Sequence, residues 1–237
     1  MIEKNIFQSY YTKDLDPLLQ KKIDFFKNLN PEYRYYLYDD NDMDNFVNEN
    51  FKGEISDCYN RLNIIVAKVD FWRYLILYKY GGVYLDIDSC IDLPLNTLIK
   101  DDDQAIITAE SNPNLYVQWA LIFSKEHPIL EKTIQLVCNN IKNNSYPNNI
   151  LKMTGPHVYS CAINTFHNNL FNTIIEHKNI NKNTDVVFEK NNISYRLYGI
   201  EYNCHFCLKH EYSWLLYTAR KHWTQELKEK KLLKNDD

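Results

Sequence analysis

The sequence predicts an α/β fold, a sheet flanked by helices, in one sizeable domain. Three observations predict it. Short apolar strands alternate with helical stretches from the first residues onward. A periodic helix over residues 62–80 stops at Gly81-Gly82 and leads straight into an apolar strand. The chain has 237 residues, 45% of them hydrophobic, enough to bury a full core without staples or a partner.

Residues 2–9 read as the first strand. A helix bounded near Asp16-Pro17 carries Leu18, Leu19, Ile23, Phe25 and Phe26, and Asn30-Pro31 breaks it. Tyr33–Tyr38 reads as a second strand ending in Asp39-Asp40-Asn41-Asp42, with a helical stretch over 43–51. From Leu62 to Tyr80, Leu62, Ile65, Val66, Val69, Trp72 and Ile76 recur at three- and four-residue spacing, as on one helix face. Lys79 in the last turn suits the helix dipole, and Gly81-Gly82 takes up the terminal conformation that carries no Cβ penalty. Val83–Asp88 is then a strand with Pro94 at its exit. Residues 105–109 and 118–123 read as strands, His127-Pro128 opens a helix to about Lys142, and 143–149 is an Asn-rich loop. Thr154-Gly155-Pro156 opens a helix with Val158, Ala162 and Ile163; 185–188 and 195–199 read as late strands, and the run from Glu226 as a charged, solvated helical end.

Lys and Arg number 27 against 31 Asp and Glu, a net charge of −4, so no large phosphate-neutralising surface is present and nucleic-acid binding is disfavoured. The six cysteines are spread too thinly for a disulfide scaffold. Cys204-x-x-Cys207, with His205 and His210 nearby, lacks a second ligand pair at zinc spacing, and reduced thiols are the simpler reading. No stretch reaches the ~18 apolar residues of a membrane span, and the first residues show no signal-peptide pattern. The expectation is a soluble chain of a reducing compartment, the cytoplasm.

The block that carries chemistry runs from Lys68 to Asp88. On a strand, Val83, Leu85 and Ile87 would bury one face while Tyr84, Asp86 and Asp88 share the other. Two carboxylates two residues apart lie roughly 7 Å apart along the strand, close enough to approach one hydrated hard cation together. Mg²⁺ and Mn²⁺ take such oxygens, typically one or two carboxylates with substrate phosphates. Asp-x-Asp alone is common as solvated loop acids, but an apolar strand does not end in two same-face acids unless something pairs them. Asp70 and Arg73, three residues apart, are neighbours on their helix. They form either a local ion pair or a grip on a ligand's hydroxyls and phosphate.

Asp70-x-x-Arg73-Tyr74, a helix, Gly81-Gly82-Val83-Tyr84-x-Asp86-x-Asp88 and Pro94-Leu95 together resemble the core of the DXD-containing sugar-binding glycosyltransferases of family 32, which include yeast α-1,6-mannosyltransferases and bacterial capsular sugar transferases. Ile6-Phe7-Gln8-Ser9, Asn30-Pro31-Glu32-Tyr33, Thr154-Gly155-Pro156 and His222-Trp223 are similar to further segments of that family, with Phe7 where its histidine is usual. The resemblance implies a GT-A fold, with a catalytic domain over residues 1–225 and a charged tail over 226–237. It implies metal-dependent, retaining transfer of a hexose from a UDP- or GDP-sugar to a glycan, lipid or protein acceptor. Asp86 would touch ribose and metal, Asp88 would ligate Mn²⁺ or Mg²⁺, and Asp70 and Arg73 would bind the donor sugar. Gln8 and Ser9 would contact the base. Tyr84 would support the ribose, stack or simply pack, and His222 would complete the metal shell or be a structural histidine beside Trp223. No residue announces itself as a nucleophile, which favours front-face departure of the diphosphate. The rivals are a nucleotide-sugar hydrolase or phosphotransferase on the same fold and a binding module that has lost turnover.

Overall fold

The computed structural model describes residues 1–110, 112, 115–166, 185–190, 193–198, 208–209, 211–212, 214–215 and 221–234. The Cys204–Cys207 motif and its histidines lie outside the described residues.

Strand β1 (Asn5–Ser9) is followed by α1 (Pro17–Leu29), β2 (Arg34–Tyr38), α2 (Asp40–Asn50), α3 (Glu54–Arg61), α4 (Ile65–Tyr80) and β3 (Gly82–Leu85). Then come β4 (Ser89–Cys90), α5 (Leu95–Leu98), β5 (Ala105–Thr108), β6 (Ala120–Phe123), α6 (Pro128–Lys142), α7 (Ile150–Met153) and α8 (Pro156–Asn164). The described later elements are β7 (Asp185–Lys190), β8 (Ile193–Tyr198), β9 (Leu208–Lys209) and a last helix, α9 (Trp223–Glu229). Seven strands form one mixed sheet in the order β2-β1-β3-β6-β5-β8-β7, and β4 pairs with β9 in a separate ribbon. β1 runs parallel to both β2 and β3, whereas β6 runs antiparallel to β3 and β5. The predicted α/β class holds, with more antiparallel pairing than a doubly wound sheet carries.

Strand alternation divides the core between the two faces of the sheet. Ile6, Val83, Leu85, Ile106 and Ile122 point to one face, where Ile23 and Phe26 of α1 and Leu95 and Leu98 of α5 cover them. Phe7, Tyr84, Ile107, Leu121 and Phe123 point to the other, against α4, α6 and α8. Asn30 ties the first layer together: its side chain donates to Phe26 O at 2.9 Å and accepts from Leu95 N at 2.6 Å.

Several boundaries differ from the sequence reading for identifiable reasons. The acids after β2 start a helix rather than end a strand, because Asp39 and Asp42 form a reciprocal capping box. The sequence reading does not include α3, α5 or α7; α5 and α7 are single turns and α3 spans only about two. α4 is not a one-faced amphipathic helix, since residues 70–77 are all buried. It is the central helix, packed on α2, α6, α7, β3 and β6. β3 stops at Leu85, and Asp86–Asp88 turn away, with Ser89 N donating to Asp86 O at 2.8 Å. The turn between α4 and β3 requires glycine: Gly82 has φ +112°, and a Cβ there would sit 2.6 Å from Asn5 O. The C-terminal run is not wholly solvated. Leu232 and Leu233 are buried, Asn63 N donates to Leu232 O at 2.9 Å, and Leu62 bridges to Leu233. Among the described residues no helix is long and apolar enough to cross a membrane.

Candidate functional site

The site forms where β3 ends over the helical face of α4. Asp70 and Arg73, one turn apart on α4, are each 5% exposed. Such groups stay charged at depth only when their polar atoms are met. Arg73 Nη2 lies 3.2 Å from Asp70 Oδ1 and 3.2 Å from Asp86 Oδ1, and Nη1 donates to Gln118 O at 3.1 Å. The guanidinium also lies over the Tyr84 ring, 4.7 Å from its centroid. Asp70 accepts from Gln118 Nε2 at 3.2 Å on Oδ1 and from Thr154 Oγ1 at 3.2 Å on Oδ2. The ion-pair reading of this pair holds, and both residues also line a pocket of about 470 Å³.

Asp86 is held from three sides. Its backbone N–H donates to Trp119 O at 2.8 Å, its carbonyl accepts from Gln8 Nε2 at 3.0 Å, and its Oδ1 accepts from Tyr84 OH at 2.8 Å. Asp88 follows in the turn. Although the strand ends before them, both carboxylates converge on one point: Lys209 Nζ lies 3.3 Å from Asp86 Oδ2 and closer still to Asp88 Oδ1. An ammonium bonded to both acids marks a place where a cation fits. Among the described residues, no group of three or more His, Cys, Asp and Glu side chains could hold a metal ion. The pair supplies two hard oxygens, and the other positions would fall to phosphate oxygens and water, the usual division for Mg²⁺ and Mn²⁺.

These surroundings set the protonation states. Burial pushes the Asp70 carboxyl up to about 6; Arg73 opposes this, the nearby Asp86 charge adds to it, and Thr154 and Gln118 also oppose it. Burial works the same way on Asp86, but Arg73 and Lys209, with the Tyr84 hydroxyl, outweigh it and hold that acid below its usual range. Since the folded protein binds the Asp70 proton more tightly than the unfolded chain, this contribution to stability is complete below about pH 4 and lost as pH rises through about 6. Asp70→Asn should therefore stabilise the ligand-free protein by about 2 kcal/mol at pH 7.5, an advantage that shrinks towards pH 4, while turnover falls. Thermal unfolding at the two pH values, beside an activity assay, checks this.

The remaining expected site residues take distinct places. Ser9 lines the pocket next to the Tyr84 hydroxyl. Gln8 does not reach it: fully buried, it gives its amide to Asp86 O and accepts from Tyr35 OH at 3.0 Å. The residue expected to contact a base thus lies beneath Asp86, bonded to its backbone. Tyr84 spends its ring on Arg73 and its hydroxyl on Asp86. His222 lines the pocket and caps α9, its Nδ1 2.8 Å from Thr224 Oγ1 and its ring 5.3 Å from that of Trp223. Gln118, Thr154 and Lys209 were not singled out by sequence. Thr154 alone had a signal, the Thr-Gly-Pro motif. Its neighbour Gly155 allows the close approach, since a Cβ there would meet Asp70 Oδ2 at 3.3 Å and Leu151 Cα at 2.8 Å.

Residues 16–105 match the family model described as the glycosyltransferase sugar-binding region containing DXD motif. That span holds Asp70, Arg73, Asp86 and Asp88. The chain is 22% identical over 218 residues to the initiation-specific alpha-1,6-mannosyltransferase of Candida albicans, covering 76% of this chain and 57% of that one. It is 26% identical over 196 residues to the Schizosaccharomyces pombe protein of the same name, covering 70% and 49%. The chain therefore spans about half the length of these curated relatives. Among solved structures, PaToxG glycosyltransferase superposes with a TM-score of 0.57 at 19% identity, over 74% of this chain and 72% of that one. At that identity the likeness speaks for the fold, which is GT-A.

Proposed function

We propose, for a chain whose residues 16–105 match the model of the DXD-containing glycosyltransferase sugar-binding region, a metal-dependent transfer of a hexose from a UDP- or GDP-sugar to a glycan, lipid or protein acceptor, with retention at the anomeric carbon. The observation that carries this reading is the convergence of Asp86 and Asp88 on one cationic position beside the buried Arg73–Asp70 pair, at the mouth of the pocket.

Asp86 and Asp88 would hold Mn²⁺ or Mg²⁺, which supplies charge stabilisation to a departing diphosphate. Arg73, fixed by Asp70, Gln118 O and the Tyr84 ring, presents a guanidinium that cannot lose its charge to solvent exchange. Its hydrogen bonds are made before the ligand arrives, so it aligns donor groups without reorganising at the moment of reaction. Asp70 accepts from donor-sugar hydroxyls; two protein hydrogen bonds and the ion pair with Arg73 already hold its carboxylate, and that supports an orienting role rather than a nucleophilic one. Departure of the diphosphate from the face that the acceptor attacks follows from this assignment. A covalent sugar adduct trapped on the Asp70 carboxylate of the wild-type protein with a slowly turned-over donor analogue would end that mechanism.

The test of the function is a screen of nucleotide sugars with Mn²⁺, following release of the nucleoside diphosphate. Mannose donors come first, because two relatives are named mannosyltransferases. We expect turnover with one donor class and its loss on chelation of the metal. Diphosphate release without sugar transfer to any glycan, lipid or protein acceptor would instead make this a hydrolase. Binding without release would make it a binding module.

A further inference from the structure

We propose that Lys209 is the resident counter-ion of the Asp86–Asp88 pair: its ammonium holds the divalent-cation position while the protein is free of donor, and moves onto the donor's diphosphate when metal and donor bind together. The inference rests on the cation site of the proposed function and adds to it a residue that couples the two ligands.

Placement comes from the backbone. β9 pairs antiparallel with β4, setting Lys209 opposite Ser89, the residue after Asp88. The two elements of this ribbon are only two residues each, yet they bring together side chains 121 positions apart. From that anchor the ammonium reaches Asp86 Oδ2 and Asp88 Oδ1 together and lies 5.5 Å from the centroid of the Trp119 ring. The indole face bounds the ammonium on one side and favours a cation there.

Charge makes the arrangement selective. Among the described side chains paired with one another here, Asp70, Asp86 and Asp88 oppose Arg73 and Lys209, which leaves that set with one net negative charge. A divalent cation bound alone would turn this into one net positive charge, with two cations competing for the same oxygens. A doubly anionic diphosphate bound alone would leave three negative charges. Binding both restores the original balance, and the displaced ammonium then has phosphate oxygens to meet. The Lys209 side chain is 38% exposed, so its flexible stem has room to make the move. The affinity of each ligand thus depends on the presence of the other, by the same factor in both directions.

The measurement is calorimetric titration of Mn²⁺ into the full chain, without nucleotide and then with saturating UDP or GDP, in wild type, Lys209→Met and Lys209→Arg, with circular dichroism confirming that each variant folds. Lys209→Met should bind Mn²⁺ alone about five-fold more tightly, the effect of removing a partly exposed competing ion pair, and the gain in Mn²⁺ affinity produced by nucleotide should shrink by a similar factor. Lys209→Arg should remain close to wild type. If Lys209→Met binds Mn²⁺ no more tightly than wild type, or Lys209→Arg gains as much as Lys209→Met, the proposal is overturned. Asp88→Asn separates the two levels. Its loss of Mn²⁺ binding upholds the cation site whatever Lys209 does, and retained binding would remove the site and the proposal together.

Discussion

Replacing Arg73 with methionine is expected to destabilise the protein by about 3–5 kcal/mol at neutral pH, the usual cost of stranding a buried charge. The guanidinium is shared by Asp70 and Asp86 at 3.2 Å each and donates to Gln118 O at 3.1 Å. Methionine fills part of the volume over the Tyr84 ring but leaves two carboxylates and a carbonyl without their donor. Both acids would then be pushed up, Asp70 beyond its present value of about 6. The native state of the variant would hold protons that the unfolded chain releases, so its stability should fall as pH rises from about 4. Denaturant titrations at pH 5 and pH 8 read this directly: the gap between variant and wild type should be narrower at pH 5. An equal gap at both would mean that packing, not charge, makes Arg73 necessary.

Asp88→Asn should behave in the opposite way, leaving the fold intact and removing turnover. Its carboxylate, in the turn after β3, is mostly buried and lines the pocket, where it meets the partly exposed Lys209. With Asp88 neutralised, Lys209 keeps Asp86 and its own access to water, so no charge is stranded and the cost is about 1 kcal/mol. The proposed reaction would lose one of two carboxylate ligands for the cation, and with it transition-state stabilisation worth several kcal/mol. A fall in kcat/KM on the order of 10³-fold is expected, about 4 kcal/mol at 1.36 kcal/mol per factor of ten. Nucleoside diphosphate release with Mn²⁺, set beside the melting temperature, separates the two effects. Wild-type turnover in Asp88→Asn would remove Asp88 from the reaction.

The contrast between these variants follows from what each removal strands. Arg73 lies on a helix that is buried along residues 70–77, and its loss leaves buried carboxylates behind. Asp88 is nearly as buried, but it lies just past the end of β3 and Lys209, which meets it there, reaches water. Asp70 stands between them, structural by its hydrogen bonds and costly by its charge, which is why Asp70→Asn should lose activity and gain stability.

Local chemistry made much of this legible from sequence. Gly81-Gly82 marks the turn because only glycine tolerates that backbone and that closeness to Asn5. The three-residue spacing of Asp70 and Arg73 makes them neighbours on any helix, and the Asp86–Asp88 spacing put both acids near one point even though the strand stops at Leu85. What lay beyond the sequence was contact between distant segments. Gln118 meets Asp70 across 48 positions, Thr154 across 84, and Lys209 reaches Asp88 across 121. Gln8, whose family position suggested a base contact, was turned inward by its pairing with Tyr35 and Asp86. By itself, then, the sequence determined that Asp70, Arg73, Asp86 and Asp88 stand on a helix and just past the strand after it, because spacing and backbone preference act over a few residues. The tertiary structure alone decided which of those charges are buried, which are paired and which face the pocket, because burial and pairing depend on side chains that folding brings in from elsewhere in the chain.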